Sequence, residues 1–408
     1  MNLLLILGFF CCLLLTICDG FYLSLITDNN ESICLVMTNK ENFYFAGKCL
    51  TLDEHPEFSW EIIQTIESDS VNWEDFVRLC SNHLILPVMY LKFHAHELLS
   101  FLPNGLAEFL KEIYELNLSR NQQILNQLHE ITKILNQNGI YPTLLKGAGN
   151  LVDQLYDNPG ERIMGDIDLL VPQNDYLPAA RLLEKDGYSY TAHFMTDIKH
   201  SKHYPRLSKP GVPASVEVHR LPVNQSYTKW YNTEIIDTEK KRIDNGVIYF
   251  VLSDKHKVVH NFIHAQLSNK GDAYGIVSFR DIYDLYLLSI RIPIVTDLIP
   301  VQYQRKAISY FVLAGNALGL PKRFYAHESF SSRIFCMKHD LNQSSVVFYK
   351  TYRKSRFLYE KIILGYSRQV IQSFYSKEMR QSVIGRLSNP RWYKNHLDSY
   401  LSFFTSSK

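Results

Sequence analysis

Three carboxylates on two apolar runs carry the chemistry of this chain. Asp166 and Asp168 stand in DIDLLV (residues 166–171), and Glu217 stands in SVEVHRL (residues 215–221). Alternate residues of an extended strand share a face, so Asp166 and Asp168 point one way and Ile167 and Leu169 the other. The same parity aligns Glu217 with His219 and turns Val216 and Val218 to the opposite side. Carboxylates gathered on one sheet face repel one another unless cations lie between them. Hard oxygen donors of this kind suit Mg²⁺, with Mn²⁺ as the substitute, and such ions also bind substrate phosphates. This is the electrostatic plan of two-metal phosphoryl or nucleotidyl transfer.

A phosphate-rich substrate also needs cations of the protein's own. Lys146 and Arg162 flank a glycine turn at Gly147 and the aspartate run, and amides around Gly147 can donate to phosphate oxygens. Both could instead pair with the neighbouring aspartates. Asp166 and Asp168 also fit surface carboxylates on an edge strand, and Glu217 fits a half-exposed strand. His219 fits a position behind a metal-binding carboxylate or an ordinary half-buried histidine. His193, His200 and His203 form a loose cluster whose spacing is irregular for zinc. His256, His260 and His264 repeat along one helix face and suit packing or contact with the sheet better than a metal. Arg280, Asp281 and Asp284 in FRDIYDLYLL fit surface ion pairs or a buttress for the site. Tyr283 and Tyr286 there fit base stacking or core packing.

These pieces occur in an order that resembles the polymerase-β-like nucleotidyltransferase superfamily. Within it the chain is similar to an uncharacterised nucleotidyltransferase family. The resemblance rests on LLKG (residues 144–147), Arg162, DIDLLV, Gly187-Tyr188, Glu217-Val218-His219 and Arg280-Asp281-Ile282-Tyr283-Asp284, between about Trp73 and Leu288. It implies attack of a hydroxyl acceptor on the α-phosphate of an NTP, the acceptor being protein, RNA or a small molecule. Asp166, Asp168 and Glu217 would hold two Mg²⁺ ions, with His219 behind them, and Lys146, Gly147 and Arg162 would cradle the phosphates. The chain departs from the superfamily's Gly-Ser turn, having Lys146-Gly147-Ala148, and 18 residues separate Gly147 from Asp166. A catalytically inactive binding module of the same fold is the alternative, and a membrane-anchored interaction protein is another.

Composition bounds the rest. The 408 residues, 46% hydrophobic and 21% charged with a net charge of +2, describe a globular protein with a substantial core and no overall pull toward polyanions. From Lys350 onward, 12 Lys and Arg face three acids among many aromatics, so that segment either binds an anionic partner or is a helical subdomain with a solvated basic face. Seven scattered cysteines without a CxxC pair argue against a zinc ribbon or disulfide framework and favour reduced thiols. No GxSxG, HExxH, Walker A or dinucleotide GxGxxG motif occurs.

Residues 3–18 resemble the apolar core of a signal peptide but lack a preceding Lys or Arg, and they are short for a membrane span. We expect residues 1–36 to be a mis-started leader before Met37, with a signal or anchor as the alternative. A nucleotide-using chain without stable membrane association is then cytoplasmic. The organisation expected is a helical region over 37–139, a catalytic core over 140–225 and a mainly helical region over 226–408. The fold class is α+β, a small mixed sheet flanked by helical regions. Within it, spacing of Ile124, Leu128, Ile131 and Leu135 predicts a helix over 119–138 with a solvated Asn/Gln face (Asn121, Gln122, Gln123, Asn126, Gln127). Strands are expected over 140–145, 166–171, about 188–194 and 214–221.

Overall fold

The computed structural model of the protein describes residues 36–190, 201–242, 246–294, 296–325, 327–360 and 367–375, with 380, 383–385 and 388. The leader-like stretch through residue 35, together with His193 and His200, lies outside the described residues. Helices α1 (Asn39–Leu50), α2 (Phe58–Glu67), α3 (Trp73–Asn82) and α4 (Leu86–Ala95) precede the long α5 (Leu106–Gln137). Then come β1 (Thr143–Leu145), α6 (Lys146–Val152), β2 (Asp166–Leu170), α7 (Tyr176–Lys185) and β3 (Ser215–His219). Strands β4 (Thr238–Arg242) and β5 (Ile248–Leu252) follow. Helix α8 (Asp254–Phe262) runs into a π-helical turn, Ile263–Ser268, before α9 (Gly271–Tyr274) and α10 (Phe279–Arg291). The remaining helices are α11 (Val301–Ala317), α12 (Phe330–Ser344), α13 (Val346–Leu358) and α14 (Ser367–Tyr375).

The fold is mixed α+β, as expected. Its five-stranded sheet has the order β3–β2–β1–β5–β4. β2 runs antiparallel to β1 and parallel to β3, while β5 is parallel to β1 and antiparallel to β4. Two of these strands lie beyond residue 225, in the region expected to be mainly helical. β4 reads TEKKR, a charged composition typical of an edge strand that avoids further pairing, so it carries little apolar alternation to detect. Ile167, Leu169, Val216 and Val218 are wholly buried on one face and join Leu128, Ile131, Ala179 and Leu183 of α5 and α7 in the main core. The other face holds a small separate apolar cluster, Leu145, Leu170 and Leu252, beside the carboxylates.

Helix α5 starts after Gly105 and ends before Gly139, whose φ of 75° is the left-handed conformation that stops helices. Its apolar stripe is buried as the spacing predicts, but its polar face is not all solvated. Gln122, Gln123 and Asn126 are exposed, whereas Asn121 and Gln127 are buried. Asn117 Nδ2 donates to the carbonyls of Gly160 (2.7 Å) and Arg162 (3.2 Å). Asn121 Nδ2 donates to those of Pro159 (2.6 Å) and Arg162 (2.8 Å). Arg120 reaches the carbonyls of Met164 and Pro213, and Gln127 bonds both the carbonyl and the N–H of Ala214. The face expected to meet water therefore holds the two irregular segments that enter β2 and β3. Amide side chains suit the task because buried loop carbonyls need donors that water cannot supply.

The first helix packs directly on helices far along the chain. Gly47 lets α1 approach the carbonyl of Ala317 where a Cβ has no room, and Thr51 Oγ1 donates to Leu318 O at 3.3 Å. Phe43 stacks on Phe279 with centroids 4.3 Å apart, and both rings contact His83. Phe43 also contacts His339. The His83 ring accepts the Phe279 N–H through Nδ1 at 3.1 Å. Burial lowers both histidines to about 4, with the charge of His339 adding to the effect on His83.

Two outcomes follow from this packing. Asn121→Leu strands the Pro159 carbonyl and leaves that of Arg162 to Asn117 alone, and denaturation should show a loss of about 1–3 kcal/mol. Acidification should also destabilise the protein. His83 and His339 titrate lower when folded than the ordinary 6.5, so the unfolded chain binds more protons between those values. Their stabilisation is complete above about pH 6.5 and fades toward pH 4, at up to about 1.4 kcal/mol per pH unit for each group. Urea midpoints measured between pH 7 and 5 should fall, and the slope should flatten in His83→Gln.

Candidate active site

Strand register builds the carboxylate row. In the parallel β2–β3 pair, Asp168 faces Glu217, Leu170 faces His219 and Asp166 faces Ser215. Directly paired residues project to the same side, so Asp166, Asp168, Glu217 and His219 share the face opposite the main core. His219 Nε2 lies 2.8 Å from Asp168 Oδ1 and 3.4 Å from Glu217 Oε2. Ionised carboxylates only accept, so Nε2 carries the hydrogen. Among the described residues, Asp168, Glu217 and His219 form the group whose ligand atoms all lie within 4.8 Å of one another.

Protein cations occupy the margins of the row. Lys146 Nζ donates to Asp168 Oδ1 at 2.7 Å. Arg206 donates to Glu217 Oε1 from Nε (3.1 Å) and Nη2 (2.9 Å), and Nη2 also reaches Asp166 Oδ2 at 3.1 Å. Burial opposes ionisation of all three acids, with different results. His219 and Lys146 overcome it at Asp168, which is held far below the usual carboxylate range. At Glu217 the opposing bonds from His219 and Arg206 hold the value at about 2. Asp166 is instead pushed up, by burial and by the charge of Asp168.

Gly147 and Arg162 form the neighbouring wall. β1 passes into α6 through Lys146, whose φ of 51° is left-handed, a strained state for a residue with a Cβ. A Cβ on Gly147 would run into the guanidinium of Arg162, so glycine is required for the two to lie together. Arg162 does not pair with Asp166 or Asp168. Its Nε lies 2.9 and 3.0 Å from the two oxygens of Asp284, deep in α10. Tyr156 donates to the same carboxylate at 2.7 Å, and Asn150 Nδ2 lies 3.5 Å from it. Asp284 thus buttresses the site, one of the two roles its motif suggested.

A cavity of ≈ 220 Å³ joins these parts. Lys146, Gly147, Arg162, Asp166 and Asp168 line one side, and Lys257, His260, His264 and Arg280 line the helical side. Glu217 is outside this lining, at the Arg206 end of the row. His260 and His264 are brought to the cavity, and burial first, then nearby positive charge, holds each at about 3, so both are neutral. His203 stands beside His219 with ring centroids 5.1 Å apart and bonds the carbonyl of Tyr204. Tyr283 and Tyr286 are core residues rather than cavity walls, because each ring is enclosed and Tyr283 donates to buried Glu161. Arg206 escaped the sequence reading because it stands in a Pro-rich stretch, and the bridges His203–His219 and Leu207–Val216 on either side bring it beside β3. The basic segment from Lys350 lies mostly outside the described residues; within it, Arg356 pairs with Glu360.

The donor set suits a hard divalent cation. Three carboxylates supply oxygens, His219 stands behind two of them, and Lys146 and Arg206 sit on the oxygens such ions would use. Among the described residues no helix is long and apolar enough to cross a membrane. A family model described as "Uncharacterised nucleotidyltransferase" matches residues 69–296. A crystal structure of an antigenic nucleotidyltransferase-like protein from Paracoccidioides brasiliensis is similar at 17% identity, covering 50% of this chain and 93% of that one, with a TM-score of 0.33. Comparison with curated proteins gives no match.

The buried Arg162–Asp284 pair generates a stability outcome. Asp284→Ala leaves a buried guanidinium without its counterion and should cost about 3–5 kcal/mol. Replacing both partners, as in Arg162→Met with Asp284→Leu, should recover most of that loss in chemical denaturation.

Proposed function

We propose, from the premise that the chain belongs to the uncharacterised nucleotidyltransferase family, that it transfers an NMP unit from an NTP to a hydroxyl acceptor. The observation that carries this reading is the in-register row of Asp166, Asp168 and Glu217 at the edge of a cation-lined cavity. Asp166, Asp168 and Glu217 are the residues we assign to two Mg²⁺ ions, or Mn²⁺ in their place. When bound, such ions supply charge neutralisation at the triphosphate and acidify the attacking hydroxyl.

Lys146, the Gly147 amide and Arg162 bind the phosphates in this reading. Lys146 already contacts Asp168 and can turn to a phosphate oxygen once that carboxylate has another cation. Arg162 is held from behind by Asp284, so it meets the substrate without reorganising, the condition under which electrostatic stabilisation is largest. The acceptor oxygen forms a bond to the α-phosphorus, the bond to the leaving oxygen breaks, and pyrophosphate departs. Glu217 lies at the end of the row away from the cavity wall and is ionised at neutral pH; in this reading it accepts the acceptor's proton once Arg206, whose bonds help hold its pKa down, has moved away. Arg206, 57% exposed, must swing away for the acceptor to arrive, and its position costs little to leave. His219, wholly buried, keeps Asp168 and Glu217 oriented throughout. Protein, RNA and small-molecule hydroxyls all fit this chemistry. The cytoplasm, where NTP is abundant, is the location we assign.

The test supplies the full chain with MgCl₂, each of the α-labelled NTPs, and a lysate plus total RNA as acceptors. Label should transfer, and Asp166→Ala with Asp168→Ala should reduce transfer by about a thousandfold, the effect of losing several kcal/mol of charge stabilisation. Absence of transfer, together with NTP binding that ignores the double substitution, would leave a binding module of the same fold.

A further inference from the structure

Among the described residues, Arg280 is the cavity cation whose charge is least answered. Lys146 bonds Asp168, Arg162 bonds Asp284, and Lys257 bonds both Asp153 and Asp254. Arg280 lines the same cavity, yet its nearest carboxylate oxygen, Asp281 Oδ1, is 3.9 Å away, beyond hydrogen-bond distance. Its Nε is buried with no hydrogen-bond partner among the described residues. A buried guanidinium N–H left unpaired is costly, and a ligand that accepts from it would remove that cost.

The position of Arg280 selects the ligand. Residues 280 and 284 lie one helical turn apart on α10, so the helix that anchors Arg162 through Asp284 also presents Arg280 on the neighbouring turn. Asp166 and Asp168 pair with Arg206 and Lys146, and neither has an ion pair with Arg280. Arg280 therefore lines the cavity without an ion pair to the carboxylates, which leaves its fork for a phosphate beyond the one they would hold. His260 and His264 beside it are neutral and add no positive charge to that wall. A guanidinium presents a planar fork of donors that matches phosphate oxygens in pairs.

Resting on the nucleotidyltransferase reading above, we propose that Arg280 binds the distal phosphates of the NTP and makes the site select triphosphates over monophosphates. The same contact holds pyrophosphate after transfer. Arg280 is thus a specificity residue carried by the helical region, separate from the carboxylates and the glycine turn of the sheet core.

Calorimetric titration of the full chain in MgCl₂ tests this, with NTP, the matching NMP and inorganic tripolyphosphate as ligands. Arg280→Ala should weaken NTP and tripolyphosphate about tenfold to a hundredfold and leave NMP unchanged. Arg280→Lys, which keeps charge and most volume, should fold as the wild type does and show an intermediate affinity for the triphosphates. Equal weakening of NTP and NMP in Arg280→Ala would mark a structural role and overturn the proposal. Unchanged triphosphate affinity in Arg280→Ala, or wild-type affinity in Arg280→Lys, would overturn it as well while sparing the nucleotidyltransferase reading. A wild-type chain that binds neither NTP nor tripolyphosphate would overturn both.

Discussion

The buried ion pair between Arg162 and Asp284 is the constraint on which the site's geometry depends. Arg162 belongs to the segment that enters β2, and Asp284 belongs to α10, so one contact ties the sheet to the helices that follow it. Two charges taken out of water are tolerated only when the remaining donors and acceptors are satisfied. Tyr156 and Asn150 serve that need at Asp284, and Asn117 and Asn121 hold the backbone of Arg162 from the other side. Gly147 then fits against the guanidinium because it has no side chain there. The wall that we propose receives the phosphates is consequently braced from both sides.

The carboxylate row has the opposite character. Its cations are replaceable: Lys146 and Arg206 reach it on long side chains, and Arg206 is more than half exposed. His219 is the fixed member, with no exposed surface and a single hydrogen shared toward two acids. A site of this kind stores negative charge under exchangeable covers. That suits a substrate that arrives with its own cations and leaves with them, since the covers can return when it departs. The spread between Asp166, pushed up, and Asp168, held down, shows how unequal neighbouring acids become when only one has buried donors.

Helix α5 shows how local pattern and global role can diverge. Its apolar spacing was enough to predict its burial, and Ile124, Leu128, Ile131 and Leu135 are all enclosed. Its Asn/Gln face looked like a solvated surface, because amides at helical spacing carry no signal of what lies across from them. Loop carbonyls at 159–164 and 213–214 happen to lie there, so Asn121 and Gln127 are buried donors. Tyr283 and Tyr286 show the same ambiguity in reverse, since side chains that suit base stacking equally suit a core.

Sequence alone determined whatever depends on short-range periodicity. Strand alternation placed Asp166 with Asp168 and Glu217 with His219, and the ordered motifs pointed to the α+β fold and the family. Tertiary structure decided which residues far apart in sequence became partners. Asp284 lies 122 residues from the arginine it holds, and Arg206 meets the carboxylates from a Pro-rich stretch. The two strands after residue 225 complete the sheet only by pairing with β1 and with each other. The physical reason is common to all three. A charge or an unpaired strand edge must find a partner, but the sequence does not say where in space that partner will be.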